Sequence, residues 1–122
     1  MLLVLTPAAV AAPGSPLKGL EAGEWELRER APENGKGERR RICLADIRQL
    51  IRTRHGRQQC RQLTVDEAAK RLSVSYDCGP GGSGRTDLRI ETPRLVQMRT
   101  QGVADGAPFS FAMEGRRLGA CQ

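Results

Sequence analysis

Residues 79 to 86, Gly-Pro-Gly-Gly-Ser-Gly-Arg-Thr, put a glycine, four residues, a second glycine, a basic residue and a threonine in the order that a phosphate-binding loop uses. Such a loop wraps backbone amides around phosphates, reaches the terminal phosphates with a lysine, places a hydroxyl on magnesium and needs a helix N-terminus behind it. Here the lysine position is Arg85. The following residues, Asp87-Leu88-Arg89-Ile90-Glu91-Thr92-Pro93, alternate polar and apolar and close on proline. That pattern predicts a strand beginning near Arg85 and a glycine-rich connection between strands rather than a nucleotide site.

His55 is the only histidine, so a histidine-based dyad or metal site has to be built around it. The sulfur ligands or nucleophiles available to it are Cys43, Cys60, Cys78 and Cys121, separated by 16, 17 and 42 residues with no C-x-x-C pair. This spacing argues against a zinc knuckle and against a thioredoxin-type redox motif. An even count reads instead as two disulfides in an oxidising compartment, which leaves no free thiol for nucleophilic catalysis. Paired carboxylates do not assemble either: Asp66-Glu67 falls at a turn, and Glu91 and Glu114 lie on strands beside arginines. No catalytic, cofactor-binding or metal-ligating residue is assigned, no cofactor is expected, and the chain is read as not an enzyme. The alternative is an enzyme with an unrecognised site near His55.

The basic residues are the remaining candidates. The formal net charge is +6, yet residues 36 to 61 carry nine Arg or Lys against Glu38 and Asp46, a local excess of seven, and the rest sums to minus one. Arg39, Arg40, Arg41, Arg48 and Arg52 are the residues expected to meet an anionic surface, if the segment is more than a solvated face. Nucleic acid is the weaker partner for them, because the segment has no aromatic side chain on which bases could stack.

The elements that must position these residues follow from hydrophobic periodicity. Glu24-Trp25-Glu26-Leu27-Arg28 alternates as a half-buried strand, the turn-rich 32 to 38 follows, and Ile42 and Leu44 share one face of a second strand, making a hairpin. From Asp46 the period changes to that of a helix: Asp46 at the N-cap, Leu44, Ile47, Leu50 and Ile51 on one side, Arg48, Arg52 and His55 on the other, and a stop at Gly56. Strands resume around 60 to 65, 71 to 78, 85 to 91 and 94 to 100, and Phe109, Phe111 and Met113 recur at a period of two. The expected fold is α+β, mainly antiparallel β: a curled sheet or open barrel of about seven short strands with one helix at about 46 to 55.

Residues 1 to 11 are uncharged, almost wholly apolar and end in Ala9-Val10-Ala11, which reads as a signal peptide cut after a small-residue site. Residues 12 to 22 form a proline- and glycine-bearing leader, and 23 to 122 a single domain with no transmembrane segment in the mature chain. Beyond residue 11 only 24 of 111 residues are large apolar types, a core thin enough to need covalent support. Four cysteines allow three pairings. A hairpin centred near residue 69 brings Cys60 to Cys78 and leaves Cys43 for Cys121. Pairing Leu63 and Val65 with Tyr76 and Val74 needs a register one residue off, so a bulge is expected near Arg61 or Gln62.

Taken together, the Gly-x-Trp-Glu start, the "ETPRLVQ" strand with Gln101-Gly102 after it and the closing Gly-Arg-Arg-Leu-Gly-Ala-Cys resemble the domain of unknown function 3617 family, small exported alphaproteobacterial proteins, over nearly all of residues 20 to 121. The resemblance implies an exported, disulfide-containing, mainly β protein and no established activity. The expected role is a non-catalytic periplasmic or secreted, envelope-associated binding or structural module. Its expected partner is a small apolar ligand in the sheet or an anionic envelope surface at the arginine-rich segment; the further alternative is contact between that segment and nucleic acid.

Overall fold

The computed structural model describes residues 19–30, 37–45, 47–51, 54–55 and 59–122. Seven strands follow one another: β1 (Gly23–Arg30), β2 (Arg39–Leu44), β3 (Arg61–Ala68), β4 (Arg71–Asp77), β5 (Gly82–Thr92), β6 (Leu95–Ala104) and β7 (Ala107–Gly119). They form one antiparallel sheet in the order β2-β1-β7-β6-β5-β4-β3, with β2 and β3 as unjoined edges. The sheet is therefore open, and four of its six pairings are hairpins between chain neighbours from β3 to β7. The β1–β2 hairpin expected from alternation is present, with Trp25 opposite Ile42 and Gly23 opposite Leu44.

Alternation sorts the side chains into two faces. On one, Trp25, Leu27, Leu72, Val74, Tyr76, Leu88, Ile90, Val96, Met98 and Met113 are buried; Leu72, Leu88, Met98 and Met113 stand directly opposite one another across four strands. The chain covers this face with the segment between β2 and β3, which contributes the buried Leu50, Ile51 and His55, and with the stretch before β1, which contributes Leu20. Trp25 is wholly buried, and its indole Nε1 donates to the Glu21 carbonyl at 2.9 Å. The other face carries the charged partners of each alternation.

Among the described residues the helix expected at 46 to 55 is not formed. Ile47–Leu50 forms a single 3-10 turn, and Ile51, Arg54 and His55 lie in turns; Asp46 and Arg52 lie outside the described residues. A tertiary contact accounts for the difference: the Ile51 carbonyl, which a helix would give to the amide of residue 55, accepts a hydrogen bond from the buried Thr86 hydroxyl on β5.

Both cysteine pairs meet as expected, Cys43 with Cys121 and Cys60 with Cys78, and no described cysteine is free. They sit at the two ends of the covering segment, at the end of β2 and the start of β3, and so pin it at both edges. The register shift in β3 falls between Thr64 and Asp66, later than expected. Up to Thr64 the strand keeps the register that the Cys60–Cys78 bond dictates, with Gln62 opposite Tyr76 and Thr64 opposite Val74. Leu63 therefore sits opposite Ser75 on the charged face and is 67 % exposed, and Val65, at the bulge, is 49 % exposed. A covalent bond outweighs the burial of two side chains on an edge strand, where there is little to pack against. Among the described residues no helix is long and apolar enough to cross a membrane.

Candidate functional site

The Gly79–Arg85 stretch resolves as the alternation predicted. Gly79–Gly81 is a 3-10 turn, β5 begins at Gly82, and Arg85 lies within the strand, so no helix N-terminus faces the loop. What the glycines do is make room. Gly82 has φ 114°, and a Cβ there would lie 1.9 Å from the Val103 carbonyl oxygen and 3.1 Å from His55 Nε2. A Cβ on Gly84 would meet the Tyr76 hydroxyl at 2.4 Å. Both positions thus hold the strand close beneath the His55–Tyr76 pair.

That pair is the polar centre of the covered face. His55 is 2 % exposed. Its Nε2 lies 3.0 Å from the Val103 carbonyl and its Nδ1 2.8 Å from the Tyr76 hydroxyl. A carbonyl only accepts, so Nε2 carries the proton and Nδ1 accepts from the tyrosine in the neutral ring. The imidazole is edge-on to Tyr76, with centroids 4.9 Å apart, and 5.7 Å from the Phe109 ring. Among the described residues no carboxylate meets either ring nitrogen, and no three His, Cys, Asp or Glu side chains are grouped to hold a metal ion.

Beside the buried pair, the covering segment leaves part of the apolar face open. Phe109, Phe111 and Met113, the period-two residues of β7, form the floor of a cleft of about 500 Å³. Arg54 lies over both rings, its guanidinium carbon 5.8 Å from the Phe109 centroid and 5.4 Å from that of Phe111, within range of a cation–π contact. Glu29, Glu38 and Arg40 complete the rim. The cleft can therefore hold an apolar body against two aromatic rings and a thioether while presenting both signs of charge at its mouth.

Of the arginines singled out by sequence, the three whose side chains are described, Arg39, Arg40 and Arg41, are divided between the two faces of the sheet. Strand alternation sends Arg40 to the cleft side, while Arg39 and Arg41 go to the opposite face, where Arg41 lies 3.6 Å from Glu24. Arg52 and the Arg48 side chain lie outside the described residues. Sequence reasoning missed Arg54 as a cleft residue, because a helical reading of 46 to 55 gives it no particular face; the Phe109-x-Phe111-x-Met113 period was the signal that pointed to this face.

On the opposite face Glu114 sits in a network: Arg30 Nη1 donates to Gln97 Oε1 at 2.7 Å and Gln97 Nε2 donates to Glu114 Oε2 at 3.1 Å. The Gln97 hydrogen bond, followed by the charges of Arg116, Arg28 and Arg30, holds the Glu114 carboxyl below its ordinary value, and partial burial pushes the other way.

Comparison with family models matches residues 20–121 to the model described as a protein of unknown function, DUF3617. The chain belongs to the DUF3617 family. Within this DUF3617 chain the matched span covers the whole sheet and both cysteine pairs. No curated protein and no solved structure matches the chain.

Proposed function

We propose that this DUF3617 protein is an exported, non-catalytic binding module, and that the cleft over Phe109, Phe111 and Met113 takes a small, mainly apolar ligand whose polar end meets Arg40 and Arg54. The observation that carries the reading is the apolar strip of β7 left partly open beneath a single guanidinium, on the face where Trp25, Leu27, Leu72, Val74, Leu88 and Met98 are buried. Ligand sites combine such apolar floors with a few charged groups at the mouth. Support for export comes from the two disulfides, which persist where thiols are oxidised, and from the apolar N-terminal residues. The buried, doubly hydrogen-bonded His55 serves as a fixed strut between the cover and strands β4 and β6.

Titration with the apolar fluorophore N-phenylnaphthylamine tests the reading. Saturable binding to the oxidised protein, weakened about tenfold or more by Phe111→Ser and unaffected by Leu63→Ser on the other face, is expected, since burying one aromatic side chain is worth about 1.5–3 kcal/mol. Absence of saturable binding, or equal loss in both variants, refutes it.

A further inference from the structure

The face that the cover leaves bare carries a second groove, of about 650 Å³, running across the sheet from β1 to β3. Five arginines line it, Arg30, Arg71, Arg85, Arg89 and Arg99, against Asp66 and Asp87, an excess of three positive charges. We propose that this groove binds an acidic oligosaccharide, a chain of sugars bearing carboxylate or phosphate groups, at a site separate from the apolar cleft.

Three observations on the sheet support it. First, Arg71 and Arg89 occupy directly opposite positions on β4 and β5. Like charges so placed destabilise a sheet, and among the described residues Arg89 has a partner, Glu91 at 3.0 Å, whereas Arg71 has none. Second, Arg99 lies directly opposite Asp87, yet Asp87 Oδ1 is taken by Ser73 Oγ at 2.5 Å and Arg85 Nε at 3.1 Å. Among the described residues neither Arg71 nor Arg99 has a carboxylate or hydrogen-bond partner. Third, these two guanidiniums flank the same groove from β4 and β6 and project from strands held rigid by hairpin pairing on both sides, so their donor forks are presented together.

The mixture of charges selects the class of ligand. Guanidinium forks suit carboxylates and phosphates, each held by paired hydrogen bonds. Asp66, Ser73 and Gln97 on the same groove add acceptors and donors for hydroxyl groups, which a sugar supplies at every residue. Among the described residues the groove has no aromatic lining, which removes the stacking that single-stranded nucleic acid uses. Its two aspartates would oppose close approach of a phospholipid surface, while a sugar chain can seat its hydroxyls there.

Isothermal titration of the oxidised full chain with oligogalacturonate tests the assignment, with fully methyl-esterified oligogalacturonate, a single-stranded oligonucleotide and phosphatidylglycerol vesicles as parallel arms. The expected result is binding of the acidic sugar that weakens with added salt and falls about tenfold or more in the Arg71→Gln, Arg99→Gln double variant, the scale of losing charge-assisted hydrogen bonds. Arg39→Gln with Arg116→Gln removes the same charge elsewhere on that face and is expected to change affinity less than about twofold. Trp25 fluorescence and a thermal melt verify that both variants are folded. The proposal is overturned by no binding, by equal binding of the esterified chain, by equal loss in the two double variants, or by tighter binding of the oligonucleotide or the vesicles. Phenylnaphthylamine binding should be unchanged in Arg71→Gln, Arg99→Gln, which separates this site from the cleft.

Discussion

The two faces of this sheet are built from the same seven strands, often from adjacent residues, and behave as different materials. Leu88 is 3 % exposed against Met98 and Leu72, while its neighbour Arg89 reaches solvent and Glu91. On the covered face the polar groups that enter, His55, Thr86 and Thr100, are buried and engaged: Thr86 bonds the Ile51 carbonyl and lies 3.1 Å from Thr100 Oγ1. On the bare face charges pair loosely, and among the described residues Arg71 and Arg99 do not pair at all. The difference teaches that a thin core is sufficient when one face alone must be apolar and a cross-linked segment closes it, which leaves the other face free to carry charge.

The comparison is most directly broken at the cross-links. If the cover depends on being pinned at both edges, removing Cys43–Cys121 by double substitution to alanine has the largest effect, about 4 to 5 kcal/mol in the chain-entropy model for a separation of 78 residues, against about 3 for Cys60–Cys78 at 18. Urea unfolding of the two double variants measures both. An order in which the shorter loop matters more would show that packing, rather than closure of the chain, holds the cover.

Neighbouring substitutions sharpen the contrast at smaller scale. Leu88→Ala should destabilise by about 2–5 kcal/mol, since a cavity opens among Leu72, Met98 and their neighbours. Arg89→Ala, one residue along, should stay within about 0.5 kcal/mol, because an exposed ion pair contributes little. Comparable losses at the two positions would mean that the bare face is structural and not available for binding.

The smallest expected effect concerns pH. Glu114 has its folded value lowered, chiefly by the Gln97 hydrogen bond, so its contribution to stability is present above the unfolded value and is lost as pH falls through the lowered folded value. Gln97→Ala should move that loss to higher pH and reduce stability slightly at neutral pH. Chemical denaturation at a series of acidic pH values reads the displacement; an unchanged acid limb would remove Gln97 as the cause.

Much of this molecule is legible residue by residue. The strand at Arg85, the β1–β2 hairpin, the Phe109-x-Phe111-x-Met113 face and the pairing of Cys60 with Cys78 all follow from period-two alternation and from a hairpin centred near residue 69. Three features were not. The apolar spacing of Leu44, Ile47, Leu50 and Ile51 fits a helix as well as it fits a chain laid across a sheet, and the contact that discriminates, from the Thr86 hydroxyl to the Ile51 carbonyl, comes from a strand 35 residues away. The bulge at Val65 depends on the disulfide dictating the first half of β3. Arg54, Arg71 and Arg99 carry no local signal, since each is one arginine among seventeen.

What this sequence determined by itself is therefore which residues alternate, where strands turn and which cysteines lie near each other, because these depend on dihedral preferences and on neighbours within a hairpin. What only the tertiary structure decided is that Leu50, Ile51 and His55 pack on the sheet, which glycines clear space for His55 and Tyr76, and which arginines from β4 and β6 share a groove. Those depend on distances between residues far apart in the chain, and strand order sets such distances only after every pairing has formed.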